Sequence, residues 1–280
     1  MVKIEKGIYV VIFVQPLFAP DHIRMLRNLA SLRSVVDQLG GTIPSESFIF
    51  GGWAASDALW GQLQHLIEGS LPGATVHRYD ENRGKAWVVN ELITHALKAG
   101  KSFDYILTAD SDMKFPNGQP AVVKRLLRAA HKLQKNSNKP LGLLALSQCG
   151  DDRNWSVAYE NCFRYYYRFR KELICFPNRP SGIAGGCLLI GRKAWEAVGG
   201  YRVMGVYSGD DAYLLLDVAE AGFCYGLIKT LEVEHPPEAD HEYLEWKEAQ
   251  LVNCRESAGR ECDDLNAATK AAEVFWERRW

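Results

Sequence analysis

Two aspartates one residue apart, Asp110 and Asp112, stand directly behind the apolar run Tyr105-Ile106-Leu107-Thr108-Ala109. In a turn after a strand, carboxylates spaced this way can face the same side, and a close pair of like charges is costly without a cation between them. A hard divalent cation, Mn²⁺ or Mg²⁺, takes oxygen ligands and bridges phosphates. The pair points to metal-assisted phosphate chemistry, and the plainer reading is an acidic turn that caps the next element. A second pair, Asp210-Asp211, opens the apolar run Ala212 to Ala219. Acids are favoured at a helix N-terminus by about 0.3–1 kcal/mol, and Ser208-x-x-Asp211 is close to a capping box. A cap therefore competes here with a catalytic role.

Single residues offer similar choices. Lys85, in Asn82-Arg83-Gly84-Lys85, reads as a phosphate contact or as a solvated lysine at a helix start. His235, held extended by Pro236-Pro237, reads as a metal ligand or as a loop histidine. Gly185-Gly186 marks a bulge or tight approach, or the bare backbone that a close ligand needs. The segment Arg164-Tyr165-Tyr166-Tyr167-Arg168-Phe169-Arg170-Lys171 mixes basic and aromatic residues. At helical spacing Arg164, Arg168 and Lys171 share a face, which suits an anionic glycan or a nucleic acid. It suits a packed amphipathic helix as well.

The elements that must position these residues follow from periodicity. Ile8 to Val14 is a continuous β-branched and aromatic run, the pattern of a strand buried on both faces, ended by Gln15-Pro16. Asp21 to Leu39 has helical spacing, with Asp21 as N-cap and Gly40-Gly41 as the stop. Phe48 to Phe50 is a short strand closed by Gly51-Gly52, Ala55 to Glu68 a helix, and Val76 to Tyr79 a strand. Lys85 to Lys98 is a helix, Tyr105 to Ala109 a strand, Pro120 to Gln134 a helix and Leu141 to Leu146 a strand. This alternation predicts an α/β fold with a mostly parallel, Rossmann-like sheet covered by helices on both faces. Ligands then bind beyond the carboxyl ends of the strands. Residues about 7–146 form the expected nucleotide-binding half, about 147–240 the acceptor half, and 241–280 a charged C-terminal helical extension.

Four blocks surround the Asp-Ser-Asp: Asn82 to Asn90, Gly182 to Tyr201, Gly209-Asp210-Asp211 and Val233-Glu234-His235-Pro236. In this order the set resembles the GT-A glycosyltransferases, closest to the family 2 type and to the galactosyltransferase C-terminal module, over roughly residues 7–240. The resemblance implies a transfer of sugar from a nucleotide-diphosphate donor, a UDP-sugar foremost, to an acceptor hydroxyl. It implies donor binding by Asn82, Gly84, Lys85, Asp110 and Asp112, with Gln15 grouped beside them. Asp110, Asp112 and His235 would hold Mn²⁺ or Mg²⁺, and Gly185-Gly186 would wall the transferred sugar and the acceptor, with Arg164 and Arg168 on the acceptor side. Asp211 would be the base of an inverting reaction, with Asp210 beside it where the family carries Glu.

Bulk properties exclude little. With 280 residues, a formal charge of -1 and a pI near 6.7, no global field selects a nucleic acid or a membrane. Seven cysteines without a CxxC pair speak for reduced thiols in a cytoplasmic protein. The run Ile8 to Val14 is too short to span a bilayer, and no integral membrane segment is expected. The acceptor is read only as a glycan or another hydroxyl-bearing group, a modified nucleic acid included. A sugar-phosphate nucleotidyltransferase would need a glycine-rich basic loop after the first strand, where Gln15-Pro16-Leu17-Phe18-Ala19-Pro20 has no glycine. A non-catalytic glycan- or nucleic-acid-binding protein on the same fold is the other alternative, and the acids at both Asp112 and Asp211 speak against it.

Overall fold

A computed structural model describes residues 1–4, 7–150, 163–169, 172–177, 183, 185–207, 210–237 and 241–257. Its centre is β3 (Val11–Ala19), flanked in parallel by β4 (Phe48–Ala54) and β6 (Tyr105–Ala109), with β5 (Thr75–Arg78) outside β4. A separate N-terminal hairpin joins β1 (Val2–Ile4) to β2 (Gly7–Tyr9). The run expected as one strand is thus cut between Tyr9 and Val11. It also continues past Pro16, because β6 pairs β3 only as far as Val14. Beyond that point β4 is the strand that pairs with β3, and no ladder on the β6 side requires an N–H at Pro16.

The glycines of β4 were expected to close that strand, but it runs through them to Ala54. A Cβ on Gly52 would strike the Leu17 backbone, and one on Gly51 would meet Leu92 and His77. These glycines let neighbouring elements approach closely, and they do not make a turn.

Helices α1 (His22–Leu39), α2 (Asp57–Ser70), α3 (Gly84–Lys98) and α4 (Val122–Ser137) connect the strands. Asp21 caps α1 by accepting from the Arg24 N–H at 2.8 Å, and Ser56 caps α2 through Leu59 N–H at 3.3 Å. Apolar faces such as Met25, Leu32, Val35 and Leu39 on α1, and Val89, Leu92 and Ile93 on α3, are buried against the sheet.

The second half does not build its own layer. It adds β7 (Leu141–Cys149), β8 (Phe163–Phe169), β9 (Glu172–Pro177), β10 (Cys187–Gly191) and β11 (Cys224–Glu234) to the same sheet. Among the described residues the order is β5-β4-β3-β6-β10-β7-β11-β9-β8. β10 runs against both β6 and β7, and β9 against both β11 and β8; the other strands share one direction. Three more helices follow: α5 (Arg192–Val198), α6 (Asp210–Glu220) and α7 (His241–Ser257). The fold is a mostly parallel α/β sheet flanked by helices, as the sequence pattern predicts.

One grouping is corrected. Arg164 and Arg168 lie in β8, an edge strand paired antiparallel with β9, and not in a helix. The helical spacing that placed them on a face with Lys171 does not apply. Three aromatic residues in a row favour a strand over a helix, since aromatic side chains suit a pleated surface. Their side chains, together with Arg170, Lys171 and residues 258–280 of the C-terminal extension, lie outside the described part. Cys149, Cys175, Cys187 and Cys224 are free thiols. Among the described residues no helix is long and apolar enough to cross a membrane.

Candidate active site

A cleft of about 210 Å³ opens at the carboxyl ends of β3, β4, β6 and β11. Asp110 and Asp112 reach it from the turn after β6. That turn is braced from below. Gln15 is fully buried, and its amide donates to the Asp110 carbonyl at 2.9 Å and to Ser31 Oγ at 2.8 Å. Ser31 in turn donates to the Met113 carbonyl at 2.5 Å. The structure therefore places Gln15 under the site, where it orients Asp110, and not on the cleft wall. From the side, the Asp110 N–H donates to the Gly186 carbonyl at 2.8 Å.

Lys85 enters from the start of α3. The Gly84 N–H donates to Asn82 Oδ1 at 3.0 Å, an Asx turn that starts the helix. Gly84 adopts φ +79°, and a Cβ there would strike the Val206 backbone, so this position is restricted to glycine twice over. Further along α3, Asn90 donates to the Tyr201 carbonyl at 2.8 Å and accepts from the Tyr201 N–H at 2.9 Å. These two bonds fasten the loop that carries Val206 and Tyr207 to the cleft rim.

The Lys85 ammonium is surrounded by oxygen. It lies 2.8 Å from Asp110 Oδ1, 2.7 Å from Asp211 Oδ1 and 3.2 Å from the Gly185 carbonyl. Gly185 is needed here, because a Cβ on it would fall on the Asp211 carboxylate. Burial by itself would lower the Lys85 pKa, but Asp110 and Asp211 more than offset that and hold it well above the lysine range. The acids respond in the other direction. Burial pushes Asp110 up to about 6, with Lys85 opposing and Asp211 adding to the rise. Burial pushes Asp210 up to about 7, helped by the charge on Asp211 and opposed by Lys85. One lysine does not neutralise this many carboxylates, and the cluster retains protons into the neutral range.

Asp112 and His235 form a second group on the other side of the turn. The Lys114 N–H donates to the Glu234 carbonyl at 2.9 Å and the Glu234 N–H to the Lys114 carbonyl at 2.8 Å, which ties the turn after β6 to the end of β11. His235 Nε2 then stands 4.0 Å from Asp112 Oδ2, beyond hydrogen-bond range, and the His235 Nδ1 is buried without a hydrogen-bond partner. Among the described residues no three His, Cys, Asp or Glu side chains converge as a metal cage. A cation of the Mg²⁺ type does not need one, since it keeps several waters and is held by one or two carboxylates plus substrate phosphates. Two coordination bonds of about 2 Å can span the gap between Asp112 and His235. The donor set fits such an ion there, while the inner oxygen of Asp110 is already engaged with Lys85.

The outer cleft is aromatic. Phe18 stacks on Trp53 with ring centres 5.7 Å apart. Opposite, α7 presents Tyr243 and Trp246, stacked at 5.5 Å, and Trp246 lies 6.2 Å from Tyr207. Arg24 sits 3.9 Å over the Tyr243 ring. Reading the sequence missed these groups. Phe18 and Trp53 follow Gln15-Pro16 and Gly51-Gly52, where the sequence pattern ends the two strands, and nothing local to His241–Ser257 says that this helix returns to the cleft.

No protein-family model matches the chain, and no curated protein matches it. Solved structures do resemble it. Staphylococcus aureus TarS 1–349 in complex with UDP-GlcNAc aligns with a TM-score of 0.52 at 11% identity, over 84% of this chain and 60% of that one. A second S. aureus TarS structure gives 0.54 at 9%, over 81% and 36%. S. aureus TarS 1–349 gives 0.53 at 10%, over 90% and 73%. The chain thus spans 60% and 36% of the first two chains that it matches. The likeness shows the fold, which is that of the GT-A glycosyltransferases.

Proposed function

We propose that this chain is a metal-dependent, inverting glycosyltransferase that moves a sugar from a UDP-sugar to an acceptor hydroxyl, with Asp211 as the base. One observation carries the reading. At the carboxyl ends of the strands, Asp110, Asp210 and Asp211 are gathered around Lys85, with Asp112 and His235 facing each other beside them. The structural likeness to TarS, solved with UDP-GlcNAc, supports the donor class.

Each residue has a physical role in this scheme. Asp112 and His235 would hold Mn²⁺ or Mg²⁺, with Asp110 adding negative charge at their side. That ion would neutralise the donor diphosphate and ease its departure. Phe18 and Trp53 offer ring faces on which a planar base can lie. Gly185 has no side chain, which lets the Asp211 carboxylate sit against the backbone beside Lys85. The Asp211 side chain is 31% exposed and lines the cleft, within reach of an entering hydroxyl. It takes the hydroxyl proton as oxygen attacks the anomeric carbon, a contribution of about 10²–10⁴-fold. Asp210, its carboxyl pushed up to about 7 by burial, places less than a full negative charge beside Asp211 near neutral pH. The acceptor is a glycan or another hydroxyl-bearing group, a modified nucleic acid among them, and β8 with Arg164 and Arg168 belongs to its side.

The deciding experiment incubates the protein with a panel of nucleotide sugars and Mn²⁺, and measures release of nucleoside diphosphate. Release from a UDP-sugar that disappears with chelator is the expected result. Absence of binding and release for every nucleotide sugar, with or without cation, overturns the reading.

A further inference from the structure

The arrangement around Lys85 contains a conflict. An ammonium has three hydrogens to donate, and the Lys85 Nζ already has three oxygen neighbours: Asp110 Oδ1, Asp211 Oδ1 and the Gly185 carbonyl. It lines the same cleft in which the diphosphate must lie. For Lys85 to contact a phosphate it must leave one of the three. Meanwhile Asp211 Oδ1 accepts a 2.7 Å hydrogen bond from that ammonium, which occupies the carboxylate oxygen that an entering hydroxyl would have to reach.

The three partners are not equally replaceable. Asp110 Oδ1 is shut off from solvent and has no partner besides Lys85, so it would be left bare if the ammonium withdrew from it. The Gly185 carbonyl belongs to the buried strand entry. The Asp110 and Asp211 side chains are exposed to a similar degree, 29% and 31%, so what separates them is the enclosed Oδ1 of Asp110. Phosphate oxygens compete well for an ammonium, and the start of α3, where Lys85 sits, favours an anion.

Building on the function proposed above, we propose that Lys85 is a two-position switch. With the nucleotide site empty it holds Asp211 Oδ1, and with the site filled it holds the donor diphosphate. Donor binding thereby releases Asp211 to act as base. Lys85 is a positioning residue in this account, acting on the acceptor hydroxyl only through Asp211. The enzyme without donor is idle because its base is engaged, and Asp211 and the diphosphate compete for one ammonium.

A double-mutant cycle on UDP binding tests this without knowledge of the acceptor. UDP with Mn²⁺ is titrated by calorimetry into the wild type, Asp211→Asn, Lys85→Met and the double variant. Asp211→Asn removes the competitor while keeping its shape. It should tighten UDP binding by about 5-fold or more where Lys85 is present, and leave it unchanged in the Lys85→Met background. Equal tightening in both backgrounds would be simple removal of a negative charge and overturns the switch. A second readout needs no Lys85 variant. In ¹³C-aspartate spectra, the Asp211 carboxyl resonance, assigned by its loss in Asp211→Asn, should move towards that of a solvated carboxylate as UDP fills the site. An unmoved resonance with UDP bound also overturns the switch. Failure of UDP to bind even the wild type would instead remove the nucleotide-sugar reading on which the switch rests.

Discussion

The inner and outer acids of the cleft are built from the same chemistry and meet opposite conditions. The inner group, Asp110, Asp210 and Asp211, has a cation supplied by the chain. The members of the outer pair, Asp112 and His235, face each other across 4.0 Å. The inner group is organised by covalent geometry: glycines at 84 and 185 let backbone and carboxylate close around Lys85. The outer pair is organised by one two-bond bridge between Lys114 and Glu234. The contrast teaches that acids alone do not define a metal site. Where a lysine is already held among carboxylates, positioning and proton transfer are favoured. Where a carboxylate and an imidazole face each other, the proposed function assigns a divalent ion.

The largest effect should come from the outer pair. Asp112→Ala, or excess chelator with the wild type, removes charge stabilisation of several kcal/mol, which corresponds to roughly 10³-fold or more in turnover. Transfer rates with and without chelator check it, and full activity in chelator would make the outer pair no different from the inner one.

Asp211→Asn, in the inner group, should lower kcat by about 10²–10⁴-fold while the cation requirement stays as in the wild type. A loss of cation binding in this variant would merge the two groups into one site. Gly185→Ala tests the same residue indirectly. The added methyl lands on the Asp211 carboxylate, and a displacement of about 1 Å at a reacting group can cost about 10²-fold. Single-turnover rates should fall with Mn²⁺ affinity unchanged.

The smallest effect is one of stability. Burial pushes the Asp210 carboxyl up to about 7, from the 3.8 of an ordinary aspartate. A carboxyl raised in this way binds more protons folded than unfolded, so its contribution is fully present below the unfolded value. It is lost as pH climbs from about 4 to about 7, and is level above that. Asp110, at about 6, contributes in the same direction. Asp210→Asn should flatten this slope and raise Tm at pH 8 relative to the wild type, with little change at pH 4. An equal shift at both pH values would show that Asp210 ionises normally.

Much of this was legible before any coordinates. The alternation of β-branched runs with 3.6-residue patterns located α1 to α4 and β6 to within a few residues, because burial on one or both faces writes itself directly into composition. The acids at 110, 112, 210 and 211 were found from their positions after a strand and before a helix. The errors were also physical. Pro16 and the glycines of β4 read as breakers, yet in the sheet they sit where a missing N–H or a missing Cβ is tolerated or required. The basic-aromatic run at 163–169 was grouped by a helical period, while its strand pairing with β9 depends on residues distant in the local pattern.

What the sequence determined by itself was therefore local: which segments bury a face, and where carboxylates end a strand or open a helix. Tertiary structure decided which of these meet. It put Lys85 between Asp110 and Asp211 instead of in solvent, buried Gln15 beneath the turn, and slid β10 antiparallel between β6 and β7. It also brought Tyr243 and Trp246 of α7 over the cleft mouth. None of these pairings leaves a periodic trace, since a contact between distant segments is fixed by how sheets and helices pack and not by the spacing of residues along either one.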